Sequence, residues 1–262
     1  MYDFRDLKID QRIRQPDYPT EMVKYGGQYL DMAVPGFRTL YTTGRHDFSR
    51  QVNAPDRAGD GATYLSSRLE TRKIEVIFYL TADNINDYND RVNQLKSILS
   101  VPNQPILFAD DASYHYVGTV TALTFDEPTL STKGKIEFTL QDPYAHSAVH
   151  YLRGTGSLIT IADARLTNNP QLPKMLTFTA SSYLPNPVIS CGSNSIKLNV
   201  GVSAGQPVTI DFDQLLVTIN RVESMMAVSL DSNLSDFYVQ SGSMIKLPAT
   251  VNYDFRYEVK RL

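Results

Sequence analysis

The side chains of this sequence best suited to metal or nucleophilic chemistry are four histidines, His46, His115, His146 and His150, and one cysteine, Cys191. His146 and His150 have the i, i+4 spacing that puts two imidazoles on one helical face, where they share a metal ion when a glutamate base lies beside them. The segment from Ala145 to Leu152 follows a proline and carries no such glutamate, so the pair reads as surface or interface histidines. A lone cysteine excludes an intrachain disulfide and any cysteine-based cluster, and Cys191 reads as a small buried hydrophobe. Asp83-Asn84-Ile85-Asn86-Asp87 resembles a calcium loop at first sight, but such a loop needs glycine at its sixth position, where Tyr88 stands, and a helix cap fits better. Asp110-Asp111 are adjacent, so on a strand they would point to opposite faces, and a turn is the better setting. Gly154-Thr155-Gly156 lacks the third glycine, the preceding buried strand and the following helix of a phosphate cradle, and no Gly-x-Ser-x-Gly elbow occurs. No catalytic, metal or cofactor-binding residue is assigned, no cofactor is expected, and the chain is not expected to be an enzyme.

The elements around these residues are mainly β. Ile74, Val76, Phe78 and Leu80 alternate along an arginine-led strand from Arg72 to Leu80. A helix follows over residues 84–100, with Ile85, Tyr88, Val92, Leu95 and Leu99 at three- and four-residue spacing, Asp83 as N-cap and Pro102 ending the pattern. Strands resume over 105–109, 114–123 and 135–140. The stretch from Thr42 to Ala62 holds Gly44, Pro55, Gly59 and Gly61 and few apolar residues, and is read as a long loop or a protruding hairpin arm kept for contacts. Gly154, Gly156, Asn168-Asn169 and Pro170 mark a boundary, dividing the chain into residues 1–150 and 151–262.

The second part shows short alternating strands with glycine and asparagine turns between them, the pattern of a β-sandwich. These are Leu176 and Phe178; Ile196, Leu198 and Val200; Val208, Ile210 and Phe212; Leu215, Val217 and Ile219; Met226, Val228 and Leu230; Phe237 and Val239; Ile245 and Leu247; and Val251 to Val259. No helix is needed after residue 150.

Hydrophobic residues make up 42% of the 262 and charged residues 20%, enough apolar material to bury a core. The N-terminus, Met1 to Lys8, mixes charges where a secretory signal needs an apolar run, and no stretch has membrane-spanning length, so residence in a cytoplasm, at least initially, and no membrane partner are expected. A formal net charge of -3 provides no clustered cations for gripping phosphates, and sequence-specific nucleic-acid binding is not expected. A wall past which DNA slides is compatible with that charge. The aromatic residues, 16 tyrosines and 11 phenylalanines without tryptophan, raise a lectin-like alternative, but Phe78, Phe138, Phe212 and Phe255 lie on the apolar parity of their strands and read as core.

The order of elements is similar to the siphophage distal tail protein family, often called Dit. The resemblance rests on the loop ending at Asp60-Gly61, the strand led by Arg72, the helix, the step Asp142-Pro143-Tyr144 after Phe138 to Gln141, and Phe237-Tyr238-Val239-Gln240-Ser241-Gly242-Ser243 near the end. Ser241 and Ser243 depart from the family's usual proline and asparagine. The resemblance implies an N-terminal β-sandwich or split-barrel domain with one helix and a galectin-like C-terminal sandwich. It also implies a homo-hexameric ring at the distal end of the tail tube, joining the tube protein to tail-tip, tail-associated or receptor-binding proteins and leaving a channel for DNA. The expected location is the virion's tail tip, with the host cytoplasm during assembly. The alternative is a carbohydrate-binding protein that contacts the host surface.

Overall fold

The computed structural model describes residues 18–127 and 129–262. The stretch Met1 to Lys8, read above for a targeting signal, lies outside them. The chain divides into two compact units, residues 1–145 with 262 and residues 146–261, a division a few residues ahead of the boundary read from the glycines and asparagines.

The first unit contains β1 (Val23–Tyr25), β2 (Gln28–Tyr29), α1 (Leu30–Ala33), β3 (Phe37–Thr43), β4 (Arg50–Asn53), β5 (Ser66–Leu69), β6 (Arg72–Thr81), α2 (Ile85–Leu99), β7 (Gln104–Phe108), β8 (Tyr114–Phe125) and β9 (Ser131–Leu140). Seven of these strands form one path, β2-β1-β7-β8-β9-β6-β3, and β4 with β5 forms a separate two-stranded sheet. The alternation of β6 buries Ile74, Val76, Phe78 and Leu80, as its period of two requires. Opposite it, β9 buries Ile136, Phe138 and Leu140 in antiparallel register, Ile74 facing Phe138 and Val76 facing Ile136.

Helix α2 covers this core with Tyr88, Val92, Leu95 and Leu99. Ile85, expected on the same face, begins the helix and is 59% exposed. The N-cap is Asn84, not Asp83: its side chain accepts from the Asp87 N–H at 3.0 Å, while the Asp87 carboxylate accepts from the Asp83 N–H at 3.0 Å. This reciprocal arrangement satisfies donors that the first turn leaves open.

The second unit contains most of β10 (Ala145–Ser147) together with β11 (His150–Thr160), β12 (Met175–Ala180), β13 (Val188–Cys191), β14 (Asn194–Lys197), β15 (Pro207–Asp211), β16 (Leu216–Ile219), β17 (Val222–Glu223), β18 (Met244–Tyr257) and β19 (Lys260–Arg261). Its sheet runs β14-β13-β18-β12-β15-β16-β17, with β11 on the other side of β18. Two strands expected over Ile245–Leu247 and Val251–Val259 are the single long β18, which continues through Pro248 while its neighbour β11 bulges between Gly156 and Leu158. The strand expected at Met226, Val228 and Leu230 does not form. A 3-10 turn at Met225–Ala227 takes its place and leaves Met226 and Leu230 fully exposed. Phe237 and Val239 are buried as expected, although they stand in a 3-10 turn exit and an isolated bridge to Gln171 and not in a strand.

Candidate assembly surfaces

The segment read as a loop or an arm is a hairpin. β4 and β5 pair from Arg50 with Leu69 to Asn53 with Ser66, and the bridge of Asp56 to Ala62 closes the tip. Every residue of β4 is exposed, and Phe48 (59%), Val52 (53%), Tyr64 (64%) and Leu65 (60%) project apolar area into solvent. Cross-strand contacts are polar: Arg68 Nε donates to Gln51 Oε1 at 2.8 Å and Arg50 Nη1 to Ser67 Oγ at 3.1 Å. Such a ribbon, without a packed face, is marginally stable alone and offers two strand edges for pairing.

Its root is fixed. Gly44, at φ +81, passes so close to β6 that a Cβ there would lie 2.1 Å from the Lys73 carbonyl oxygen. Next in sequence, Arg45 is buried, with Nη1 2.8 Å from Asp110 Oδ2 and its guanidinium 4.1 Å above the Phe108 ring. Arg72, 4% exposed, donates from Nη1 to the Arg45 carbonyl at 3.4 Å and lies 5.8 Å above the Tyr116 ring, whose hydroxyl donates to the same carbonyl at 3.2 Å. Both β-propensity and motif searches pass over Arg45, since a single arginine in a glycine-bearing stretch gives no periodic signal. The position of Arg72 at the head of β6 was the visible part of this pair.

Several of the residues with chemical potential make structural contacts. His146 lies in β10 and His150 in β11, so the two do not share a helical face. His146 Nδ1 is 3.2 Å from Glu258 Oε2, and His150 Nε2 is 2.9 Å from Arg165 Nη2. Among the described residues no group of three or more His, Cys, Asp or Glu is spaced to hold a metal. Asp110 and Asp111 lie in a short 3-10 turn, Gly154 to Gly156 in β11, and Cys191 is buried with Sγ 3.8 Å from the Tyr238 carbonyl oxygen. Burial pushes the Cys191 thiol up, away from thiolate chemistry.

General acid–base work near neutrality needs carboxyls tuned upward. Two carboxylates of the second unit are tuned the other way. Arg165 holds Asp163 at about 2 through a hydrogen bond and its charge. Burial works to raise Glu258, but hydrogen bonds from His146 and Lys174 and the Lys174 charge outweigh it and hold the carboxyl at about 2. Asp31 is raised by burial, yet its two oxygens accept from the Thr39 N–H and hydroxyl at 2.7 Å each, a link between α1 and β3. No helix among the described residues is long and apolar enough to cross a membrane.

The family described as phage tail protein RIFT-related domain matches residues 36–140, the strands and helix that carry the arm. This stretch is similar to that phage tail protein domain. No curated protein matches the chain in sequence. Among solved structures, the Dit protein of phage SPP1, described as a paradigm of the hub adsorption apparatus in phages infecting Gram-positive bacteria, matches with a TM-score of 0.75 at 18% identity, over 92% of this chain and 99% of that chain. The phage P2 baseplate in its activated conformation with calcium gives 0.43 at 10% identity over 85% of this chain and 90% of that one, a likeness too slight to argue from. The chain has the fold of that distal tail protein, mainly β with a helix in its N-terminal half, the fold that the resemblance read from the order of its elements implies.

Proposed function

We propose that this chain is a non-catalytic structural component of a phage tail, assembling as a homo-hexameric ring at the distal end of the tail tube. In this reading the ring joins the tube protein to tail-tip or receptor-binding proteins and leaves a channel through which DNA passes. Its location is the virion's tail tip, after assembly in the host cytoplasm. The tail protein domain at residues 36–140 and the Dit-like fold support the class.

The observation that carries the ring is the β4–β5 ribbon. Its apolar side chains are exposed in the single chain, its edges are unpaired, and its root is held by Gly44, Arg45 and Arg72. A closed ring needs a heterologous interface, in which one patch meets a different patch on the next copy. A rooted arm lying on its neighbour supplies it, and the N-terminal domain, about residues 1–150, carries the contact while the domain from about 151 to 262 does not.

Mass photometry and negative-stain electron microscopy of the full chain test this reading. Rings of six copies of the 29.4 kDa chain are expected. Replacing residues 50–69 by a short glycine-serine turn is expected to leave folded monomers. A wild-type chain that stays monomeric at micromolar concentration overturns the ring. Rings that survive the replacement move the contact elsewhere in the N-terminal domain.

A further inference from the structure

The second unit holds a cleft of about 540 Å³ between the β13–β14 turn and the turn that leads into β18. Antiparallel pairing sets Ser190 opposite Lys246 and Cys191 opposite Ile245. Since side chains alternate across a strand, Cys191 and Ile245 enter the core and Ser190 and Lys246 take the other face. One wall is the turn from Gln240 to Ser243, closed by the Ser243 N–H donating to Gln240 O at 3.0 Å and the Gln240 N–H donating to Ser243 Oγ at 2.9 Å, with Gly242 at φ +86. The opposite wall is the tight turn at Gly192, carrying Ser193 and Asn194, and Tyr238, 48% exposed, also lines the space.

The lining has a definite chemistry. It contains no carboxylate and one cation, Lys246. The Asn194 amide donates to the Asp236 carbonyl and is committed to the fold. The Tyr238 hydroxyl, the Gln240 side-chain amide, the Ser190 and Ser193 hydroxyls and the Lys246 ammonium make no hydrogen bond to other described residues and are free for a ligand. An aromatic face receives the apolar C–H face of a sugar ring, and uncommitted hydroxyl, amide and ammonium groups meet its hydroxyls. The single unopposed cation favours a ligand with negative charge.

We propose that this cleft binds an acidic saccharide, a sugar carrying a carboxylate or phosphate, with Tyr238 against the ring and Lys246 pairing the anion. The site stands apart from the ring: a chain that fails to assemble would keep it, and a ring that assembles does not require it.

Saturation-transfer NMR and titration of the full chain with glucuronic acid, glucose 6-phosphate and glucose test the site. Transfer is expected from all three, with dissociation constants on the order of 1 mM for the acidic sugars and roughly fivefold weaker binding of glucose, the upper range for an exposed ion pair. Lys246→Ala is expected to bring the acidic sugars to the glucose level, Tyr238→Ala to remove transfer from all three, and Tyr183→Ala, an exposed tyrosine outside the cleft, to change nothing. A difference between glucuronic acid and glucose 6-phosphate identifies which acid group the site prefers. Absence of transfer from every sugar, binding that survives Tyr238→Ala, or glucose bound as tightly as the acidic sugars overturns the proposal. Melting curves of the variants, superimposable on wild type because both side chains are exposed, exclude misfolding as the cause of a loss.

Discussion

Replacing Glu258 by glutamine keeps the shape of the side chain and removes its charge, and the structure says what that charge contributes. The carboxylate lies 3.0 Å from Lys174 Nζ and 3.2 Å from His146 Nδ1, and its side chain is 9% exposed, so water and salt screen these contacts weakly. Burial opposes the charge, and the two partners overcome it, holding the carboxyl at about 2 where 4.5 is ordinary. At ~1.4 kcal/mol for each factor of ten in proton affinity, the ionised group contributes roughly 3 kcal/mol near neutral pH. Because the folded-state value lies below the unfolded one, this contribution is complete above pH 4.5 and is lost as the pH falls from there toward about 2. Glu258→Gln is therefore expected to lower the melting temperature of the second unit by roughly 10 °C at pH 7, taking ~4 °C per kcal/mol for a unit of this size. The gap between variant and wild type is expected to close as the pH approaches 2.5. Differential scanning calorimetry across this range measures it directly, the chain having no tryptophan to report by fluorescence. A gap that stays constant from pH 7 to pH 2.5 would show that packing, not charge, sets the cost and would refute the reasoning.

Truncating Phe138 in the first unit or Phe255 in the second, each fully buried, is expected to cost roughly 3–5 kcal/mol; unchanged denaturant midpoints in both would show that neither ring fills a core. Gly44→Ala pushes a Cβ against the Lys73 backbone at a φ of +81, and a cost of about 1–3 kcal/mol is expected. Faster limited proteolysis within residues 45–71 reads it out, and an unaltered cleavage pattern and melting curve would count against a tightly held root.

The sequence was most legible where one physical period dominated. β6 and β9 alternate without interruption because one face lies in the core, and α2 repeats at three and four because one stripe does. Short windows misled for a definable reason. Met226, Val228 and Leu230 alternate as a strand would, but alternation over so few residues is also compatible with a turn, and the chain turns at Met225–Ala227. α1 spans only Leu30–Ala33, too short for any helical repeat to register. The cleft of the second unit was invisible because its residues come from two turns far apart in sequence, Gly192-Ser193-Asn194 and Ser241-Gly242-Ser243, which served in the sequence only as separators. Register between β13 and β18 brings them together, and register is not written in local composition.

The arm's root shows why a buried charge can belong in an assembly protein. Arg45 and Arg72 bring two cations into the protein against one carboxylate, Asp110, that is itself 36% exposed, and Arg45 Nε and Arg72 Nε and Nη2 find no hydrogen-bond partner among the described residues. The faces of Phe108 and Tyr116 and the Arg45 carbonyl take up part of the deficit. Apolar residues of the same volume would hold the core at lower cost, because a buried ion gains little stability over a well-packed hydrophobe. What the guanidinium groups add is direction: their planar donors accept few orientations, and while Arg45 reaches Asp110, Arg72 together with the Tyr116 hydroxyl holds the Arg45 carbonyl at the point where the chain leaves β3 for the ribbon. A ribbon aimed in advance loses less freedom when it docks, so more of its contact energy appears as affinity. On the ring reading this divides the work along the arm, with strain and desolvation accepted at the root, inside one chain, and the exposed residues Val52, Tyr64 and Leu65 left to find their cover on the next.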